Sequence, residues 1–258
     1  FYIDPVNGND TFAGTSTNQP WKTLNRVNST TFQPGDVINF KAGGTWLGTL
    51  RPLGSGTSAN PILIDAYGTG AKPVIDGNGV VESGTNYGGA IHLHNQSYWE
   101  IQNLAVRNDA TTDGLRRGIH VTASNYGLMQ HIHIRNCTIQ NIRGRVSTSD
   151  ADIQSKRTGG IIVETLDDAS VPTRFHDILI ESNVITTVRN QGIVAAGNRI
   201  NMSDYPNTTA WHARKVTQLI IRGNTISDVT KNALILRLAD STGLVERNVC
   251  FNTATLDT

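Results

Sequence analysis

Short apolar runs recur along the chain, and each is introduced by a glycine or asparagine of the kind that forms turns. Within each run, inward and outward side chains alternate with the period of a β-strand. The five runs occupy residues 89–93, 118–121, 160–163, 192–195 and 232–236. Each is followed by a second apolar run that ends at an asparagine: Asn103, Asn136, Asn183, Asn224 and Asn248. Paired strands that repeat without intervening helices predict the coils of a parallel β-helix.

The first third of the chain lacks this regular repeat. Residues 20–27 predict one short helix, because Trp21, Leu24 and Val27 form an apolar face behind a proline near its start. Such a helix would cover the N-terminal end of the stack, as caps do in repeat proteins. Turn residues delimit three further strands, at residues 37–40, 62–66 and 73–77.

We predict one continuous domain. Residues 1–88 form its cap and first irregular coils, and residues 89–258 form its regular coils. The last eight residues, 251–258, stop where another coil would begin, and no amphipathic cap follows them. Because the end of such a stack would expose apolar side chains and sheet edges, we expect a second chain or a C-terminal segment to continue it.

Composition agrees with an elongated repeat. Of the 258 residues, 38% are hydrophobic and 17% charged, which suits the thin core of a solenoid. A net charge of +1 predicts no attraction to nucleic acid, and no run of 18 apolar residues predicts a membrane span. Cys137 and Cys250 lie three coils apart, about 14 Å at the usual strand spacing, which is too far for a disulfide. We expect both thiols to be buried apolar residues.

The chain starts in a strand-like segment without a signal peptide, as a mature secreted protein would. We therefore expect an extracellular location. Asn136 belongs to a sequon but also to the repeated asparagine turn, so it is excluded as a glycan site. The predicted N-glycosylation sites are Asn9, Asn28, Asn95, Asn201 and Asn207.

Strand alternation places two columns of side chains on one outer face of the predicted coils. The first column holds His92, His120, Ile162, Val194 and Ile235, and the second holds His94, Thr122, Glu164, Ala196 and Arg237. Titratable groups on a flat sheet bordered by long loops suit acid–base chemistry. Candidate catalytic residues here are His120, Glu164 and Lys156. Candidate substrate-binding residues are His92, His94, Arg117, Arg157, Gln191 and Arg237. We interpret the histidines as hydrogen-bonded side chains and assign no metal ligand.

Carboxylates in the loops supply further candidates. They form three groups: Asp109 with Asp113, Asp150 with Asp152, and Asp167 with Asp168. A glycoside hydrolase needs two carboxylates about 5–10 Å apart, and Asp167 and Asp168 are added to the catalytic candidates. A lyase acting on uronates would instead use a basic residue such as Lys156, often with Ca²⁺, which oxygen-rich loops can bind. Calcium is therefore the one cofactor that the sequence allows for.

The opening of the chain resembles that of many proteins of the pectate-lyase-like superfamily. The segments that carry the resemblance are residues 2–4, 7–10, 14–15, 20–24 and 34–36. It implies an all-β, right-handed parallel β-helix and a polysaccharide as the usual ligand. Asp167 and Asp168 are similar to the paired aspartates of β-helix pectinases, although the accompanying Gly-His-Gly and Arg-Ile-Lys motifs are absent.

The favoured hypothesis is a secreted enzyme that cleaves glycosidic bonds in a polysaccharide. Hydrolysis is favoured over β-elimination, because carboxylates are plentiful and no lyase motif is complete. The alternatives are a non-catalytic carbohydrate-binding surface protein and a uronate epimerase.

Overall fold

The computed structural model describes residues 1–84, 86–147, 149, 152, 154–166, 170–196 and 206–255. Within them, three parallel sheets run along the chain and confirm the parallel β-helix. Strands are numbered β1 to β24 in chain order. The helices among the described residues are α1 (Leu24–Asn28), α2 (Thr208–His212) and one 3₁₀ turn (Ser155–Arg157). No helix in this described part is long and apolar enough to cross a membrane.

Sheet 1 is the longest of the three. Its strands, in spatial order, are β1 (Tyr2–Ile3), β3 (Val37–Lys41), β6 (Ile62–Tyr67), β11 (Trp99–Gln102), β14 (Leu128–Arg135), β17 (Arg174–Glu181), β20 (Thr217–Arg222) and β23 (Leu244–Glu246). The predicted early strands at residues 37–40 and 62–66 are thus confirmed, and they already belong to the same sheet as the regular coils.

Sheets 2 and 3 complete each coil. Sheet 2 contains β10 (Gly89–His94), β13 (Arg117–Ala123), β16 (Gly159–Thr165), β19 (Gln191–Ala196) and β22 (Leu234–Leu236). Sheet 3 contains β4 (Thr45–Leu47), β7 (Val74–Asp76), β12 (Ala105–Asn108), β15 (Thr138–Arg143), β18 (Val184–Arg189), β21 (Thr225–Val229) and β24 (Val249–Thr253). Two small pairs flank the stack: β2 (Thr31–Phe32) with β5 (Leu53–Gly54), and antiparallel β8 (Glu82–Ser83) with β9 (Asn86–Tyr87).

Like residues stack on like residues through the core. In sheet 2, Ile91 pairs with Ile119, which pairs with Ile161, which pairs with Ile193. All four side chains are fully buried. Each buried side chain of this size contributes roughly 1.5–3 kcal/mol relative to an exposed one, so the aliphatic column fixes the register of successive coils. A slip of one residue would turn the column to the outside.

The capping helix forms, but later and shorter than predicted. Trp21 bridges Ile3 as a strand residue, and Thr23 accepts a hydrogen bond from the Arg26 amide as the N-cap of α1. Leu24 and Val27 are buried in the main core, as the apolar face predicted. The helix therefore starts at residue 24, because Thr23 is the first residue able to cap it.

The asparagines that end the second strands belong to two columns, so the repeated asparagine turn expected for all five is wrong for three of them. Asn103 and Asn136 lie at a left-handed turn, with φ of 61° and 48°. Asn183, Asn224 and Asn248 lie one residue further along their coils than this turn position. Their side chains form an inward ladder of hydrogen bonds, in which Asn183 and Asn224 are fully buried. The coil of Asn136 has Cys137 in the ladder position, and the Cys137 amide donates to Asn183 Oδ1 at 2.9 Å.

Both cysteines are free, as predicted. Cys137 is buried, and burial raises the pKa of its thiol to about 11. Cys250 is exposed, so the expectation of two buried thiols is wrong for this residue. It lies on β24, whose outer neighbours Val249 and Phe251 are also exposed.

Candidate active site on sheet 2

Sheet 2 brings the predicted columns together in the predicted register. His92 pairs with His120, and Thr122 pairs with Glu164. This face is covered and not open to solvent, however, because His92, His120 and Glu164 are each at most 1% exposed. The hairpin β8–β9 supplies Tyr87 to this face, and the 3₁₀ turn supplies Arg157. These covering elements come from irregular segments.

Three nitrogen atoms hold the Glu164 carboxylate beneath the hairpin and the 3₁₀ turn. The Nε2 atom of His120 lies 2.8 Å from Glu164 Oε1. Arg157 donates to both carboxylate oxygens, from Nη2 to Oε1 at 3.1 Å and from Nε to Oε2. Burial by itself would raise the pKa of Glu164, but the hydrogen bonds and charges of His120 and Arg157 lower it to about 2. The carboxylate is therefore ionised and poorly suited to donate a proton near neutral pH.

Both ring nitrogens of His120 face acceptors. Nδ1 lies 3.0 Å from the Tyr87 carbonyl oxygen, opposite the Nε2 contact with Glu164. A neutral imidazole has one N–H, so the ring donates in both contacts only when it is protonated. Burial and the charge of Arg117 outweigh the Glu164 hydrogen bond and lower the pKa of His120 to about 4. The ring is therefore neutral near pH 7, and its one N–H is best donated to the charged acceptor, the Glu164 carboxylate.

Arg117 joins the hairpin to the sheet. Its side chain is buried, with Nη1 2.7 Å from Glu82 Oε2 and 2.9 Å from the Tyr87 carbonyl oxygen. Its Nε donates to the Arg157 carbonyl oxygen at 2.6 Å. The guanidinium thus fixes the hairpin and the 3₁₀ turn to the same strand. Its Nε and Nη1 are engaged in these contacts, which supports a positioning role, while the buried Nη2 has no hydrogen-bond partner among the described residues.

The accessible part of the site lies at the edge of β10. A cavity of about 230 Å³ is lined by Asn28, Thr49, Arg51, Asn86, Tyr87 and His92. The half-buried His94 stacks on Tyr87, with ring centroids 5.5 Å apart and planes at 17°. The Thr122 hydroxyl lies 2.8 Å from His92 Nε2 and 2.9 Å from His94 Nδ1. An aromatic face beside amide, hydroxyl and guanidinium groups is chemically suited to one sugar ring.

The remaining candidates are spread around this centre. Lys156 is half-buried on the 3₁₀ turn. Arg237 is half-buried, and burial lowers the pKa of its guanidinium against the opposing charge of Glu164. Gln191 is buried at the start of β19. Its side-chain amide donates to Asn190 Oδ1 and accepts from Asn232 Nδ2, so it does not face the cavity. Asp167 and Asp168 lie outside the described residues.

Sequence reasoning missed Arg51 and Glu82. Arg51 lines the cavity and lowers the pKa values of His92 and His94 after the effect of burial. Glu82 pairs with Arg117. Both lie in the irregular first coils, where no repeat marks them. Glu82 lies close to Tyr87 in the chain, which was a weak signal, whereas Arg51 lies far from both Tyr87 and the first regular strand.

Two of the other loop carboxylates contact arginines, whereas Asp109 accepts a hydrogen bond from the Ala110 amide. Asp113 lies 2.9 Å from Arg143 and Asp152 lies 2.6 Å from Arg145. Asp150 is outside the described residues. Calcium binding by these loops stays a prediction, and the arginine pairs would compete with it.

The predicted glycan sites differ in their surroundings. Asn9 and Asn207 are exposed, and Asn207 caps α2. Asn28 donates from its amide to the Thr49 carbonyl oxygen, and Asn95 donates to the Ser124 carbonyl oxygen. Asn201 lies outside the described residues. Exposure makes Asn9 and Asn207 better acceptors than the two bonded amides.

The burial of His92 predicts that the protein loses stability in mild acid. Burial lowers the pKa of His92 well below 6.5, and the charges of His120 and Arg51 add to this. Because the unfolded chain then takes up the proton first, stability is present above pH 6.5 and falls as pH drops below it, by at most about 1.4 kcal/mol per pH unit for one proton. Urea unfolding between pH 7 and 5 should show a shallower pH dependence in His92→Gln than in the unsubstituted protein. Equal slopes would contradict the assignment.

Comparison with known proteins gives two likenesses and one negative result. No family model matches the chain. A stretch of 130 residues is 32% identical to a lacto-N-biosidase of Bifidobacterium longum subsp. longum, and it covers 42% of this chain and 8% of that protein. The chain therefore spans a small part of the curated relative that it matches.

The solved structures show the same architecture over nearly the whole chain. The GH136 lacto-N-biosidase from Eubacterium ramulus matches with a TM-score of 0.78 and 22% identity in its selenomethionine derivative, and with 0.76 and 22% in the native protein. Each match covers 93% of this chain and 43% of that one. The described coils thus share the parallel β-helix fold with less than half of these solved chains.

Proposed function

We propose that this chain is part of a carbohydrate-active glycoside hydrolase whose sugar site lies at the β10 edge of sheet 2. The observation that carries the proposal is the cavity lined by Tyr87, His92 and Arg51, with His94 stacked on Tyr87 and the buried His120–Glu164 pair on the neighbouring strands. The likeness to lacto-N-biosidases in sequence and in fold supports hydrolysis as the reaction and an oligosaccharide containing lacto-N-biose as the first substrate to test.

The ionisation and solvent access of each carboxyl group decide its role in the proposed reaction. Hydrolysis needs one carboxylic acid to protonate the leaving oxygen and one carboxylate to act as base or nucleophile. Glu164 is buried and ionised, so it serves by holding His120 and Arg157 in position. The acid and the second carboxylate are assigned to Asp167 and Asp168, which follow Leu166 after the end of β16 in the chain.

The role of Lys156 distinguishes hydrolysis from elimination. In the proposed hydrolase it has no chemical step, whereas a uronate lyase would use such a residue as its base. Arg157 is already committed to Glu164 and would not serve a substrate carboxylate without breaking that pair. Arg157 therefore gives no reason to favour a uronate over a neutral sugar at this site.

We expect Asp167→Asn and Asp168→Asn each to lower kcat by roughly 10²–10⁴. Lys156→Gln should leave kcat within a few-fold. Disaccharide release from a lacto-N-biose-terminated oligosaccharide, followed by chromatography, measures these effects. Products with unsaturated uronate ends, or a kcat that falls only in Lys156→Gln, would overturn hydrolysis in favour of elimination. Sugar binding without release of any product would favour a non-catalytic binding module.

We also propose that further coils cover the outer side of the last described coil. Val245, Val249 and Phe251 are 43–57% exposed there, which is unusual for apolar residues of a β-helix sheet. A C-terminal segment or a second chain would bury them. Phe251→Lys should lower the melting temperature of the complete protein by several degrees, since it would place a charge in that contact. No change in melting temperature would show that this surface faces solvent.

A further inference from the structure

A second cluster of titratable side chains lies on sheet 1, away from the sugar cavity. It consists of Glu100 on β11, His131 and His133 on β14, and Asp177 on β17. The side chains are between 14% and 35% exposed, so they face outward but are partly sheltered. Three successive coils thus contribute to one outer surface group.

A repeated backbone irregularity builds this cluster. Gln130 pairs with His176 and Ile132 pairs with Ile178, which leaves His131 and Asp177 between the paired positions. Both have positive φ, 56° for His131 and 57° for Asp177. Such values are uncommon for residues other than glycine. The irregular position brings these two side chains together on the outer face, beside the regular residue His133.

The two imidazole rings lie next to each other between the two carboxylates, with their planes tilted by 37°. Their centroids are 3.8 Å apart. On one side, Asp177 lies 2.7 Å from His131 Nδ1 and 3.0 Å from His133 Nε2. On the other side, Glu100 Oε1 lies 3.1 Å from His131 Nε2 and 3.9 Å from His133 Nδ1. Each ring therefore has one nitrogen directed to each carboxylate.

This arrangement leaves three acceptors converging on one point. When the neutral rings donate their N–H groups to Asp177, the lone pairs of His131 Nε2 and His133 Nδ1 face Glu100 Oε1. The three atoms lie within 4.8 Å of one another. Lone pairs that face a carboxylate repel it unless a cation lies between them. The cation is either a proton on a ring or a metal ion.

We propose that Glu100, His131 and His133 bind a zinc ion. Two imidazoles and a carboxylate are a typical zinc donor set, whereas calcium and magnesium prefer oxygen ligands. Asp177 supplies the outer carboxylate that ligating histidines commonly bond through their second nitrogen. Arg135 binds Glu100 Oε2, which leaves Oε1 for the ion. Three protein ligands leave a fourth tetrahedral position for water.

A zinc ion bound here would link two neighbouring coils. Glu100 and the two histidines lie on neighbouring strands of sheet 1, and Asp177 extends the contact to the next coil. An ion bound only in the folded state stabilises the protein in proportion to the logarithm of its free concentration. The cluster lies on a different sheet from the proposed sugar site, so sugar hydrolysis does not require it.

The test measures zinc binding by the metal-free protein. Isothermal titration should give one bound Zn²⁺ per chain, and Co²⁺ as a probe should give a visible tetrahedral absorption band that Zn²⁺ abolishes. The melting temperature should rise with Zn²⁺ and stay constant with Ca²⁺. If titration with Zn²⁺ releases or absorbs no heat of binding and Co²⁺ gives no absorption band, the proposal is overturned. A proton would then be the bridging cation.

Matched variants assign the ligands. His133→Gln and His131→Asn should each weaken zinc binding at least tenfold, and asparagine is chosen at position 131 because it tolerates positive φ. His176→Gln is the control, since His176 lies on the same sheet but bonds Thr217 outside the cluster. Equal zinc affinity in all three variants would place the ion elsewhere. Circular dichroism of each variant without metal confirms that any loss is not loss of fold.

Discussion

Glu164→Leu should lower the free energy of unfolding by about 3–5 kcal/mol, the usual cost of removing one partner from a buried ion pair. Leucine would leave the Arg157 guanidinium mostly buried without its carboxylate and would remove the acceptor of His120 Nε2. Urea unfolding followed by circular dichroism measures the loss. It would be a large fraction of the stability of a typical domain.

The matched control is the double variant Glu164→Leu with Arg157→Met. Replacing a buried ion pair as a whole by apolar residues is often nearly neutral, so this variant should recover most of the stability that Glu164→Leu loses. The recovery separates an unpaired charge from poor packing of the new leucine. A cost below about 1 kcal/mol for Glu164→Leu would show that the carboxylate is solvated and not buried as described.

Asn224→Leu should cost about 2–6 kcal/mol, because it would leave two buried backbone groups unpaired at about 1–3 kcal/mol each. Asn224 Oδ1 accepts from the Asn183 amide at 2.9 Å, and its Nδ2 donates to the Ile180 carbonyl oxygen at 2.9 Å. Leucine has a similar size but can make neither bond. Urea unfolding of the purified variant measures the difference.

Asn136→Gly is the control for this ladder. Asn136 is exposed and has φ of 48°, which glycine adopts freely, so its replacement should cost less than about 1 kcal/mol. The two asparagines end equivalent strands but lie in different columns. Equal losses would contradict the division of the asparagines into a turn column and an inward ladder.

The parts of the fold that follow from side-chain period were predictable. Alternation placed Ile119 and Val121 in the core and His120 and Thr122 on the opposite face, as the structure has them. The asparagine columns were not separable in this way. The coil that ends at Asn183 has one more residue, Ser182, before its asparagine than the coil that ends at Asn136, and this offset separates the columns only once Arg135 and Glu181 are known to pair.

The cover over sheet 2 could not be predicted, because its contacts join segments far apart in sequence. The Tyr87 carbonyl oxygen reaches His120 across 33 residues, and Arg117 reaches Glu82 from the next coil. A six-residue hairpin carries no periodic pattern that would assign it to a sheet face. The same holds for His131 and Asp177, whose shared left-handed conformation follows from the stacking of coils and not from a shared residue type.

A crystal structure of the protein with lacto-N-biose tests the central claim most directly, namely that the β10 edge of sheet 2 is the sugar site. The account predicts one sugar ring against the face of Tyr87, within hydrogen-bond distance of Arg51 and His94. A sugar bound on the outer face of sheet 1 or sheet 3, with the Tyr87 cavity empty, would contradict it.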